Sequence, residues 1–479
     1  MRQLSAFRAI RPLCCFISAA TALCFAGCAG LQIAHVAQDT ILHATYVVLG
    51  NNGTATARAI TANRHCPAIE VDGVTQSMRV RVGPAVVPLR PTASAPAESK
   101  PSAFPVLTCE FPLSPTTTRA SIGGNVLRLP SQKPTRIVVI GDTGCRMKSA
   151  DQAWQGCADE TQWPFRIVAN AAAAFKPDLV IHLGDFHYRE NACPESVAGC
   201  RGSPWGYGWD TWQADLFAPA RDLLAAAPWV VVRGNHEECR RAGQGWFRFL
   251  DPAPYRESSS CDRPQDDVVG DYSDPYVVPI GPGWQTIVFD SARAGYTPLD
   301  PAKPADAPVF ETYQRQFRAV DTLAAKGSTK SIFVNHHPIL GFSTDPKFGV
   351  QGGQASLISV METLNPTRYY PASVNLALHG HIHLFEAISF ASDHPATLVS
   401  GNAGDEAYAN LPDPLNVDKL LPDGVVLEAI THGNFFGFAL MEKQAQSWQI
   451  RAYDQHNQLR ATCNLVDSKL RCDRTGLIN

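Results

Sequence analysis

From Ile41 to Leu129 apolar and polar residues alternate in short stretches such as Met78-Arg79-Val80-Arg81-Val82, broken by Gly, Pro and Asn. A period of two marks strands with one buried face, so an antiparallel β-sandwich domain is expected over residues 35–130. The Pro/Ala/Ser-rich stretch from Pro91 to Pro105 reads as a loop inside it. From Arg136 onward the texture changes. Ile137-Val138-Val139-Ile140, Leu179-Val180-Ile181-His182-Leu183, Trp229-Val230-Val231-Val232, Ser331-Ile332-Phe333-Val334 and Leu376-Ala377-Leu378 are continuous apolar runs, the pattern of strands buried on both faces. Helices are expected at Trp163 to Phe175, Asp210 to Ala226 and Glu311 to Ala325, which makes this part α/β. Two later runs, Phe435 to Met441 and Ser447 to Tyr453, are expected to pair as antiparallel strands of a second sheet.

Composition narrows the class. Apolar content is 45% and charge 18%, ordinary for a soluble globular chain, and 479 residues suit roughly two or three domains. A net charge of −3 points to neither nucleic acid nor an anionic membrane surface as a partner. The beginning reads as an export signal over residues 1–27: Arg2, Arg8 and Arg11, an apolar stretch from Leu13 to Phe25, then Phe25-Ala26-Gly27-Cys28. That tetrapeptide resembles a bacterial lipobox. Lipidation of Cys28 would hold the chain to a membrane through its N-terminal lipid, in the periplasm or at the cell surface. Cleavage by an ordinary signal peptidase nearby, or an uncleaved anchor, are the alternatives.

Ten of the 14 cysteines lie beyond Cys28. They fall into neighbours joined by short, easily closed loops: Cys66 with Cys109, Cys145 with Cys157, Cys193 with Cys200, Cys239 with Cys261, and Cys463 with Cys472. No CxxC pair occurs among them, which favours disulfides in an oxidising compartment over a zinc cluster.

Five short segments carry the chemistry: Gly141-Asp142-Thr143-Gly144, Gly184-Asp185-Phe186-His187-Tyr188, Gly234-Asn235-His236-Glu237, His336-His337-Pro338 and Gly380-His381-Ile382-His383. Four begin at the end of an apolar run and the fifth follows its run within two residues. Ligands gather at the carboxyl ends of strands in α/β sheets, so all five are expected on one rim. Carboxylates, imidazoles and an amide are the donor types that hold a pair of metal ions.

These motifs resemble those of the calcineurin-like metallophosphoesterase superfamily, and within it the purple acid phosphatases. The match runs from about Arg136 to Glu386. One position departs from the common pattern: Gly144 stands where most members place a metal-binding His. A second departure accompanies it, Tyr188, three residues after Asp185, and purple acid phosphatases combine these two. The resemblance implies a four-layer α-β-β-α sandwich over residues 134–460, preceded by a fibronectin-like all-β domain and followed by a disulfide-containing tail, 461–479. It implies a first ion held by Asp142, Asp185, Tyr188 and His383, and a second held by Asp185, Asn235, His336 and His381. A phenolate ligand suits a ferric ion at the first position, with Fe(II), Zn(II) or Mn(II) at the second. His236 is implied as the catalytic residue beside the substrate phosphate, with Glu237 orienting its ring. Tyr188 has an alternative as a packing residue.

Either His336 or His337 suits a ligand by itself; the family's spacing to Pro338 selects His336, leaving His337 to face the substrate or to pack. His187 is a candidate for the substrate pocket. Cys145 and Cys239 either brace the loops of their motifs as disulfides or act as free ligands. The implied activity is hydrolysis of phosphate monoesters by in-line attack of a metal-activated hydroxide. A phosphodiesterase or nucleotide phosphohydrolase on the same metals, and a catalytically silent surface binding protein, are the rival readings. The oligomeric state has no signal in the sequence.

Overall fold

The computed structural model describes residues 41–326, 329–417 and 419–473. The signal segment and Cys28 lie outside the described residues.

The continuous apolar runs become strands because both of their faces are covered. In Arg136–Ile140, Ile137 and Val139 point to one side and pack with Ile332, Val334, Leu376 and Leu378 of a second sheet. Val138 and Ile140 point to the other side and meet Val168 and Ala172 of the helix Phe165–Ala174. All four strand residues are fully buried. Each such side chain contributes about 1.5–3 kcal/mol through burial, which is why the runs are apolar at nearly every position.

Among the described residues the first sheet has eleven strands. At its centre Arg136–Ile140, Leu179–His182 and Trp229–Val231 run parallel. The second has seven, with Trp284–Val288, Lys330–Val334, Val374–His379 and Ala396–Ser400 parallel in that order. The helices Ala307–Ala324 and Ala355–Leu364 cover its outer face through Phe317, Val320, Leu357 and Met361, against Phe333 and Ala377. The layers are therefore helix, sheet, sheet, helix, the four-layer sandwich.

Several expectations change. The strand-rich N-terminal region and the α/β part share the first sheet: Leu42–Leu49 pairs parallel with Trp229–Val231 at Val48 and Trp229. Ala55–Thr61, Leu107–Leu113 and Arg79–Val82 continue outward from it. Buried arginines fasten the join. Arg58 donates to the carbonyls of Phe249 and Asp251, Arg81 to those of Phe247 and Asp251, and Arg81 Nη1 lies 3.0 Å from Glu110 Oε2. The sheet thus runs across the boundary expected near residue 130.

The hairpin of Gly437–Gln444 and Ser447–Asp454 forms as expected but joins the first sheet beside Arg136–Ile140, not the second. Alternation in sequence specifies faces, not neighbours. Leu459–Val466 and Lys469–Asp473 extend the same edge, so the expected boundary at 461 falls inside a strand. The long helix expected over Asp210 to Ala226 breaks into Trp209–Trp212, a wide turn at Gln213–Phe217 and Arg221–Ala226. Pro219, lacking an N–H, lies in the break.

All five disulfides form in the pairing expected, and they suggest an oxidising, extracytoplasmic setting. Among the described residues no helix is long and apolar enough to cross a membrane.

Candidate metal centre and active site

The carboxyl ends of the parallel strands of both sheets meet along one rim, and the five motifs lie there. Asp142 and Asp185 follow their strands directly and adopt φ of 58° and 54°, in the left-handed region; His381 does so at 67°. Such backbone is costly for residues with a Cβ and collects at functional sites. The glycines of these motifs allow close approach. A Cβ on Gly234 would stand 2.1 Å from Asp185 Oδ1, and one on Gly380 would stand 2.5 Å from Asp142 Oδ2.

Two donor clusters share Asp185. In the first, the Tyr188 hydroxyl is 3.0 Å from Asp142 Oδ1, 2.8 Å from Asp185 Oδ2 and 3.1 Å from His383 Nε2. In the second, His336 Nε2 is 3.1 Å from Asp185 Oδ2 and 3.1 Å from Asn235 Oδ1, and that same amide oxygen is 3.1 Å from His381 Nδ1. The turn through Gly380 and His381 lets the two histidines serve different clusters, which a regular strand could not do.

The protons available do not match these lone pairs. His336 Nδ1 lies 2.8 Å from the Leu183 carbonyl and His383 Nδ1 lies 2.7 Å from that of Glu406. A carbonyl only accepts, so in neutral rings each Nδ1 carries the hydrogen and each Nε2 turns a bare lone pair into its cluster. Tyr188 has one hydrogen for three neighbours. The surplus of oxygen and nitrogen lone pairs fits cations, and the mixture of carboxylate, phenol, amide and imidazole fits transition metals. Without cations, protons take their place. Against the cost of burial, Asp185 pushes the His336 imidazole up to about 9. Burial, then Asp142 and Asp185, push the Tyr188 phenol well above its ordinary value.

The model of the calcineurin-like phosphoesterase family matches residues 135–385. The chain belongs to that family.

Calcineurin-like phosphoesterases are metal-dependent hydrolases of phosphate esters with a dinuclear centre, and a cluster of Asp142, Asp185 and His336 stands at that place here. Among solved structures, the chain is similar to the purple acid phosphatase PPD1 from yellow lupin (Lupinus luteus) seeds, at 13% identity and a TM-score of 0.53, over 88% of this chain and 73% of that one. It is also similar to PhoD, at 13% identity and a TM-score of 0.52, over 90% and 91%. At such identities the likeness is one of fold. No curated protein matches the chain.

Within this calcineurin-like phosphoesterase, Gly144 and Tyr188 are tied by space. A Cβ on residue 144 would lie 2.7 Å from Tyr188 N and 2.9 Å from both Tyr188 Cδ2 and Asp215 Oδ2. Any larger side chain at 144 excludes the tyrosine as it is placed.

Two expectations need correction. Glu237 does not orient the His236 ring. Its carboxylate accepts the amides of Gly234, Asp185, Phe186 and His187 at 2.8–3.2 Å, so it clamps the Asp185 turn to the Asn235 turn. His187 does not face a substrate pocket. It is fully buried, its Nε2 lies 2.9 Å from the Gly206 carbonyl, and its ring packs on Tyr207 and Trp212.

His236 does lie at the centre, with its ring 3.9 Å from that of Tyr188 and Nε2 3.9 Å from Asp185 Oδ2. The acid beside it is Glu190, which sequence reasoning missed: Oε1 stands 2.8 Å from His236 Nδ1 and 3.1 Å from Arg241 Nη2, and Oε2 accepts the Tyr207 hydroxyl at 3.1 Å. Against burial, Arg241 and His236 hold its carboxyl well below the usual range. A second missed acid is Asp405, fully buried with Oδ2 3.5 Å from His383 Nε2 and gripped by Arg146, whose guanidinium lies 5.0 Å above the Tyr188 ring. Gly404-Asp405 follows the strand Ala396–Ser400 in the same strand-then-Gly-Asp order as the other motifs, a signal that was present.

His337 sits beside the second cluster, its ring 4.3 Å from that of His381 and its Nδ1 3.1 Å from Ser291 Oγ. Asn402 closes a turn by donating to the Phe435 carbonyl at 2.7 Å. Cys145 and Cys239 are disulfide-bonded and so brace their loops.

Proposed function

We propose that this chain is an exported phosphatase that hydrolyses phosphate monoesters on a pair of metal ions. The observation that supports the reading is Asp185, whose Oδ2 lies 2.8 Å from the Tyr188 hydroxyl in one donor cluster and 3.1 Å from His336 Nε2 in the other, so that its carboxylate would serve both ions. Asp142, Asp185, Tyr188 and His383 would hold the first, and Asp185, Asn235, His336 and His381 the second. Such a pair, when bound, neutralises phosphate oxygens and supplies the nucleophile. The combination of Gly144 and Tyr188 supports iron at the first position, because a buried phenol surrounded by carboxylates gives up its proton only to a strongly Lewis-acidic ion. Fe(II), Zn(II) or Mn(II) would fill the second.

The chain's own residues do the rest. His236, with Nδ1 2.8 Å from Glu190, presents Nε2 toward the clusters; burial and Arg241 lower its pKa to about 4, and in its doubly protonated form it would stabilise the phosphate and hand the Nε2 proton to the departing oxygen. His337, 1% exposed with its ring against His381 and its Nδ1 near Ser291 Oγ, would back the second cluster. The five disulfides and the N-terminal segment support export, and processing at Cys28 would tether the enzyme to a membrane by lipid. The reading is tested by turnover of an aryl phosphate monoester against the matching diester. Preference for the monoester is expected, and preferential diester hydrolysis overturns it in favour of a phosphodiesterase.

A further inference from the structure

Tyr296 stands at the edge of the second cluster with 78% of its surface exposed. Its hydroxyl is 3.4 Å from His381 Nε2, and the two rings are 6.1 Å apart at an angle of 33°. An exposed aromatic ring carries no packing reason of its own, yet the loop that presents this one is fixed. The Gly295 N–H donates to Ser356 Oγ at 2.8 Å and its carbonyl accepts from Gln354 Nε2 at 2.6 Å; beyond the ring, the Leu299 N–H donates to Ser359 Oγ at 3.0 Å. Three bonds to the helix Ala355–Leu364 and its cap therefore hold both flanks of Tyr296 in place. A ring pinned from both sides and left bare is preorganised for a ligand.

The ground beside it is open. Asn235, Arg241, Arg293 and Gly295 line a cleft of about 280 Å³ whose remaining walls include the small residues Ala292 and Ala294. That volume is near the lower end of clefts that receive small ligands, roughly 300–1,000 Å³. Asn235 belongs to both the cleft and the second donor cluster, so a group leaving the cluster on that side enters the cleft. Gly295, the residue before Tyr296, forms part of its wall. The cleft's charges are already satisfied inside the protein: Arg241 pairs with Glu190, and Arg293 with Glu238 and Asp271. The cleft itself offers small side chains; the bare ring of Tyr296, next in the chain to Gly295, stands beside His381 at the second cluster.

Resting on the phosphoesterase reading, we propose that Tyr296 is the platform on which a planar leaving group lies, so the preferred substrates are phosphate esters of aryl alcohols or of nucleosides. Ring-on-ring contact in a half-open site favours such an ester by about fivefold. The test compares kcat/KM for phenyl phosphate, a nucleoside 5′-monophosphate and n-butyl phosphate in the native chain, Tyr296→Ala and Tyr296→Trp. In Tyr296→Ala the phenyl-to-butyl ratio is expected to fall about fivefold, and Tyr296→Trp is expected to restore it. A parallel fall in the nucleoside-to-butyl ratio extends the platform to nucleobases; a fall in the phenyl ratio alone assigns it to simple aryl groups. An unchanged ratio overturns the proposal, because a loss shared by all three esters means that Tyr296 acts only through His381. If the native chain, with metals supplied, hydrolyses none of the three, the underlying reading fails as well, and that outcome is distinct from an unchanged ratio.

Discussion

Gly144 and Tyr188 show how one missing side chain admits another. A Cβ at 144 would press on the backbone and ring of Tyr188 and on Asp215, which itself accepts the amides of Cys145 at 3.1 Å and Tyr188 at 2.9 Å. Gly144→Ala is therefore expected to displace the tyrosine and to cost about 1–3 kcal/mol of stability, as overpacking does. In the iron-loaded protein the visible tyrosinate band should weaken or vanish, as it should in Tyr188→Phe; an unchanged spectrum in both variants would mean that no phenolate binds the ion. His236 gives a different expectation. It touches the clusters without completing either, so His236→Asn should keep the metals while kcat falls by ~10²–10⁴-fold. Parent-like turnover in that variant would remove His236 from the chemistry. These residues were legible in the sequence because each stands in a short Gly-containing motif. Glu190 was not, since a single acid in a loop looks the same whether it faces water or, as here, is buried against a guanidinium; Asp405 had its strand-then-Gly-Asp signal, but that pair alone is ordinary turn chemistry.

At the scale of elements, the site depends on turns that hold one another. Glu237 takes four amides from the two turns carrying Asp185 and Asn235, and the Cys239–Cys261 disulfide closes the loop just beyond. Glu237→Ala would leave those buried N–H groups without an acceptor. It is expected to cost about 2–4 kcal/mol, read as a lower denaturant midpoint, and to weaken metal binding because the bridging Asp185 loses its fixed backbone. A variant with unchanged stability would show the clamp to be dispensable. The strands themselves were readable as continuous apolar runs, a pattern that arises when both faces are covered, and the placement of the motifs at their ends followed from it. The neighbours of each strand were not readable. The hairpin Gly437–Gln444 and Ser447–Asp454 was visible as a hairpin, but only packing decides which sheet receives it.

For the whole molecule, the centre lies at a seam. The first sheet delivers Asp142, Asp185, Tyr188 and Asn235, and the second delivers His336, His381 and His383, so neither sheet alone carries a complete cluster. The N-terminal strands extend that first sheet beyond Trp229–Val231, the strand that ends at the Asn235 turn. The alternation of that region announced strands but not their continuity with the catalytic sheet, because a single parallel bridge at Val48 leaves no mark in local sequence. Sharing of two ions through Asp185 is read by elemental analysis of protein reconstituted with iron and a divalent metal, beside the Asp185→Asn variant. Two ions per chain are predicted for the parent and fewer than two for the variant; a parent that binds fewer than two, or a variant that keeps both, contradicts the account.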